Sequence, residues 1–97
     1  MNEWIIKLHP EFLNDLERLD QKHIEIFYKK KTKIKENPLR LKHLSGGENC
    51  YREEITRNIR LIYFVEKNNI WFLTIGPHDK AYQYYIKRLH SLKNQLS

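Results

Sequence analysis

Ninety-seven residues suffice for one small domain, which buries roughly 60–65% of the surface its unfolded chain exposes and leaves no room for a separate cofactor domain. Hydrophobic residues make up 40% of the chain and charged ones 31%, interleaved, which excludes wholesale disorder, and no run approaches the roughly 20 apolar residues of a membrane span. Eighteen Lys and Arg against twelve Asp and Glu give a net charge of +6, enough to attract a polyanion, although a merely well-solvated surface carries the same charge.

The chain opens with Trp4-Ile5-Ile6-Lys7-Leu8, rich in strand formers, so a first strand is predicted near residues 3–8. Pro10 suits the first position of a helix, with Glu11 in its first turn. Phe12, Leu13, Leu16 and Leu19 then fall on one helical face. Asp20 is an N-cap candidate for a second helix over 21–36, with Ile24, Phe27 and Ile34 as its apolar stripe and lysines coating the rest. Asn37-Pro38 ends it, because the residue before a proline avoids helical geometry. The two helices form an antiparallel hairpin. Residues 39–50 read as a loop; Gly46-Gly47 lacks the Gly-Lys-Ser/Thr sequel of a phosphate-binding loop.

The period then changes. Tyr51 to Thr56 reads as a strand, Arg57-Asn58 as a turn, and Ile59 to Val65 as a central strand covered on both sides, apolar everywhere except at Arg60. Asn68-Asn69 is a turn pair, residues 70–75 form the last strand, and Gly76-Pro77 breaks it. Helical spacing resumes over about 80–94, with Tyr85, Leu89, Leu92 and Leu96 on one face. The expected fold is α+β, in the order β-α-α-β-β-β-α. The helical hairpin covers one face of a small, largely antiparallel sheet, and the final helix lies near the other face or edge.

Metal catalysis is poorly supported, because the five histidines are scattered without ligand spacing. Cys50, the single cysteine, excludes a disulfide framework and reads as a small buried residue rather than a nucleophile. The N-terminus has no basic region followed by an apolar one, so a cytoplasmic domain over 1–97 is expected. Arg60 is different: an unpaired guanidinium inside an apolar strand is expensive, so an anion should meet it. That anion is either a bound phosphate or a carboxylate of Glu53 or Glu54 on the neighbouring strand. Arg52 and Glu54 share one face of their strand. His78 follows the last strand, Tyr82 lies four residues on, and Lys42 and His43 approach from the loop. Arginine clamps phosphate, histidine gives or takes protons near neutrality, and tyrosine stacks on a base or positions a proton. The set suits metal-free RNA cleavage, in which the 2′-OH attacks the adjacent phosphate.

Four segments, in order, carry a family likeness: Leu41-Lys42-His43-Leu44-Ser45-Gly46, Tyr51-Arg52 through Ile55, Asn58 to Val65, and Ile75-Gly76-Pro77-His78-Asp79-Lys80-Ala81-Tyr82. Together they resemble the RelE/ParE superfamily of toxins from toxin–antitoxin pairs. The resemblance implies a type II toxin that cleaves mRNA in the ribosomal A site, needs no cofactor, and is neutralised by a cognate antitoxin. It implies Arg60 at the scissile phosphate, Tyr82 orienting the RNA, and His78 as the catalytic histidine of the YafQ and YoeB branches. Glu54 falls where RelE has a lysine and supplies a carboxylate, available as base or as partner of Arg60 or His78. Lys42, His43, Arg52 and Arg57 are read as RNA-binding. The alternative on the same scaffold is a ParE-type inhibitor of DNA gyrase.

Overall fold

The computed structural model describes residues 3–41, 44 and 49–96. Its elements are β1 (Ile5–Leu8), α1 (Phe12–Glu17), α2 (Gln21–Glu36), β2 (Cys50–Glu54), β3 (Ile59–Glu66), β4 (Asn69–Pro77) and α3 (His78–Leu96). This is the order that periodicity predicts. The four strands form one sheet in the order β1-β4-β3-β2. β1 runs parallel to β4, and the other two pairings are antiparallel.

β2, β3 and β4 contribute to two cores, one on each face of the sheet, while β1 adds only Ile6 to the first. On one face Leu61, Tyr63, Ile70 and Phe72 pack against Phe12 and Leu16 of α1 and Phe27 and Ile34 of α2. Phe12, Phe27 and Phe72 meet there with ring centroids 5.5 to 5.8 Å apart. Such pairs contribute about 0.5–1.5 kcal/mol beyond the area they bury, so this triangle fastens the hairpin to the sheet. On the opposite face Ile62, Phe64 and Leu73 receive Ala81, Tyr85, Leu89 and Leu92 of α3. The final helix therefore covers the second face. Cys50 is buried in that layer, and burial pushes its thiol up to about 11, which keeps it inert.

Several boundaries differ from expectation, each for a local reason. Pro10 lies in a turn and α1 begins at Phe12, because His9 already closes the turn: its carbonyl accepts from Phe12 N (2.9 Å) and its Nδ1 from Glu11 N (3.1 Å). Leu13 points outward, 52% exposed. Asp20 precedes α2 as expected, but its side chain makes no capping bond; its carbonyl accepts from Ile24 N (3.0 Å). The β3–β4 turn is Lys67-Asn68 and not Asn68-Asn69: Lys67 takes the left-handed conformation (φ 57°), and Asn69 is already paired with Glu66.

Gly76-Pro77 does not break the last strand before a gap. β4 runs through Pro77 and α3 starts at once with His78. β1 ends at Leu8, so the far end of β4 is an outer edge, where a proline that lacks an N–H is tolerated. β4 also carries a bulge at Leu73, which the register to β3 skips. The bulge carbonyl is met by Arg88 of α3 (2.7 Å), whose guanidinium also grips Asp15 of α1 through two nitrogens. That buried arginine joins α1, β4 and α3 in one knot.

Candidate active site

The β4–α3 junction decides where the chemistry-bearing residues lie. Because the helix starts at the strand's last residue, His78 stays tied to the sheet: its backbone N–H donates to Asn58 O in the β2–β3 turn (3.0 Å). Arg60 pairs in register with Gly76 on one side and Glu54 on the other. Residues directly opposite share a face, so Glu54, Arg60 and Gly76 line one strip of the sheet, on the side that α3 covers farther along. Arg52, two residues before Glu54, continues that strip. A Cβ built at Gly76 would meet nothing within 4 Å, so the surface beside Arg60 is open.

Arg60 is half-buried, and its guanidinium is anchored within its own hairpin. Nη1 donates to Thr56 O (2.8 Å) and Arg57 O (2.9 Å). Neither carboxylate considered from the sequence pairs with it. Glu53 faces the opposite core, where it binds Arg40, and Glu54 sits across the ladder without an ion pair to Arg60. The alternation of β2 explains the first result, since Glu53 and Arg60 emerge on opposite faces. Among the described residues, Nε and Nη2 of Arg60 have no protein acceptor, so one edge of the fork is available for a ligand. Leu41, Arg52, Glu54 and Arg60 line a cavity of about 250 Å³.

Tyr82 closes the strip from above, one turn along α3. Its ring lies 4.5 Å from that of His78, and its phenol oxygen accepts a hydrogen bond from Arg52 Nη1 (2.7 Å). That bond, followed by the charge interaction with the phenol, holds the Arg52 guanidinium above the ordinary arginine range. His78 is about half exposed, with Nδ1 3.5 Å from Asp79 Oδ1. Arg57 is exposed in the β2–β3 turn. Arg52, Glu54, Arg57, Arg60, His78 and Tyr82 thus gather around the end of β2, β3 and β4 where α3 begins. Lys42 and His43 lie outside the described residues.

What the sequence concealed is mostly positioning. Asn58 O, which tethers His78, and Thr56 O, which anchors Arg60, are backbone atoms without a side-chain signature. The direct bond between Arg52 and Tyr82 spans thirty positions of chain. A second cavity of about 330 Å³, walled by Leu19, Ile75 and Pro77 and rimmed by Asp20, His23 and Lys80, lies beyond the outer edge of β4. None of the candidate catalytic or RNA-binding residues named from the sequence lines it. Among the described residues no three His, Cys, Asp or Glu side chains form a metal-binding group, and no helix is long and apolar enough to cross a membrane.

Residues 6–82 match the family described as the ParE toxin of the type II toxin–antitoxin system parDE. No curated protein matches the chain. Among solved structures, a mutant of E. coli toxin RelE in the free state is similar at 22% identity with a TM-score of 0.76, covering 89% of this chain and 97% of that one. The archaeal RelE–RelB complex from Pyrococcus horikoshii gives 22% identity and a TM-score of 0.66 over 81% of this chain and 99% of that one. The YoeB dimer from Staphylococcus aureus gives 20% identity and 0.65 over 78% and 98%. At such identities the likeness is one of fold.

Proposed function

The chain belongs to the RelE/ParE superfamily of type II toxin–antitoxin toxins, and from that membership we propose that it is a ribosome-dependent endoribonuclease that arrests translation by cutting mRNA. The observation that carries this reading is the open strip formed by Arg60, Glu54, His78 and Tyr82, with one edge of the Arg60 guanidinium unoccupied by protein. A surface that only plugged another protein would have no need of a phosphate clamp beside two groups able to exchange a proton.

The chemistry follows from those groups. The 2′-oxygen attacks phosphorus, the bond to the 5′-oxygen breaks, and the products are a 2′,3′-cyclic phosphate and a 5′-hydroxyl. Arg60, held in place by Thr56 O and Arg57 O, offers Nε and Nη2 to the non-bridging oxygens as negative charge grows on them. Glu54 and His78 are the proton-exchanging groups of the strip, one taking the 2′-OH proton and the other returning a proton to the 5′-oxygen. Tyr82 holds the phosphate or the adjacent base. Arg57 contributes charge along the RNA path, and Lys42 and His43 are proposed as further RNA-binding residues. A cognate antitoxin neutralises the toxin by occupying this face, and the charge of +6 suits an acidic antitoxin segment.

A second reading has its own support, because the matching family bears the ParE description. On that reading the protein inhibits gyrase and cleaves nothing. Induction in cells separates the two. The nuclease reading expects new transcript ends, mapped by primer extension, confined to translated frames and lost when translation is blocked beforehand. DNA damage with intact transcripts would instead establish the gyrase reading.

A further inference from the structure

We propose that Arg52 is a positioning residue for Tyr82: its guanidinium is committed to the phenol oxygen, so that Tyr82 presents its own O–H as a donor to the phosphate held by Arg60. This rests on the nuclease reading above and redirects Arg52 away from direct RNA contact.

The direction of the bond is fixed by chemistry. A guanidinium only donates, so at 2.7 Å the phenol oxygen is the acceptor. The phenol proton must then find its acceptor elsewhere, and among the described residues no protein group takes it. The ring has little freedom to turn away. His78 lies against it at 4.5 Å, and Tyr85 meets it edge-on at 6.2 Å. Ring contacts restrain the phenol and Arg52 occupies one side of its oxygen, leaving the O–H free to donate to a group that enters the strip. A bond from that O–H to an anionic phosphate oxygen is charge-assisted and about twice as strong as one between neutral groups. Glu54, on the same strand face, adds a favourable charge interaction with Arg52 that is smaller than the bond to Tyr82.

A double-mutant cycle tests the assignment, with cleavage of ribosome-bound mRNA measured as the maximal rate and the half-saturating toxin concentration. Arg52→Gln should lower the maximal rate about 10- to 100-fold while the half-saturating concentration stays within about twofold. In the Tyr82→Phe background the same change should cost less than about twofold, because the group it acts through is gone. Arg52→Lys, which retains a donor, should recover part of the rate. An equal loss in both backgrounds, or a raised half-saturating concentration at unchanged rate, would overturn the proposal and return Arg52 to RNA binding. A readout independent of cleavage accompanies this. The Arg52 Nη resonances should be resolved by restricted rotation in the wild type and averaged in Tyr82→Phe; averaged signals in the wild type refute the pairing outright. Should the wild-type protein cut no mRNA, the nuclease reading fails and Arg52 loses its proposed role, while the resonances still decide whether the pair exists.

Discussion

Arg60→Ala is expected to slow mRNA cleavage about 10²–10³-fold and to abolish growth arrest on induction, with folding stability changed by only about 1 kcal/mol. The two effects separate because of where the guanidinium sits. Its bonds to Thr56 O and Arg57 O lie at a turn that water reaches, so their loss is largely replaced by solvent. Its free edge faces the strip where a phosphate would gather charge, and Arg60 is the cation paired in register with both Glu54 and Gly76, whereas Arg52 is bonded to Tyr82. Arg60→Lys keeps the charge but loses the planar fork, so it should recover only part of the rate. Rate assays on programmed ribosomes, with thermal melts of the same preparations, distinguish this from unfolding. Full activity in Arg60→Ala would remove this residue from the chemistry.

The largest effect on stability is expected at Arg88. Arg88→Ala leaves the nearly buried Asp15 carboxylate without its cation and the Leu73 carbonyl without its donor. Breaking a buried pair by removing one partner costs about 3–5 kcal/mol, a large share of the roughly 5–15 kcal/mol that stabilises a domain. Each kcal/mol lowers the melting temperature by about 4–8 °C at this size. The double change Arg88→Met with Asp15→Leu should regain much of the loss, since a desolvated ion pair is replaceable by apolar packing. It should not regain all, because the orphaned bulge carbonyl still costs about 1–3 kcal/mol. The knot also sets an acid response. Burial, and then the Arg88 charge, hold His9 below its ordinary value of 6.5. A folded-state value below the unfolded one means stability is retained above pH 6.5 and lost as pH falls through the lower value. Arg88→Ala removes the smaller of the two causes, so its acid-side decline should be shallower. Melts between pH 5 and 8 read both effects, and an unchanged midpoint in Arg88→Ala would contradict the knot.

The elements are legible because burial leaves its pattern in the sequence: α2 keeps the helical period, and β3 reads as a short continuous apolar run bounded by turns, buried on both faces. Arg60 announced itself as the one charge in a strand otherwise sealed on both faces. What the sequence did not disclose is how that charge is satisfied: by turn carbonyls, which any residue types provide, rather than by Glu53 or Glu54. The parity of β2 excludes Glu53, but only once the register is known. Arg88 carries no signal of its own in the sequence. Its partner Asp15 is 73 positions away, and the bulge that supplies its second acceptor follows from pairing geometry. The start of α3 differs from expectation for a related reason. Gly76-Pro77 reads as a break, yet Pro77 occupies a strand edge with no partner to donate to. That small difference matters for function, since it binds His78 to Asn58 and so holds the imidazole beside Tyr82 and the Arg60 ladder.

The most direct test uses ribosomes programmed with a short mRNA in which one nucleotide of the A-site codon carries 2′-hydrogen in place of the 2′-hydroxyl. The unmodified message should be cut to a fragment ending in a 2′,3′-cyclic phosphate, and the modified one should stay intact at that linkage. Cleavage of the modified message at the same bond, or no cleavage of either, would contradict attack by the ribose hydroxyl under the Arg60 clamp.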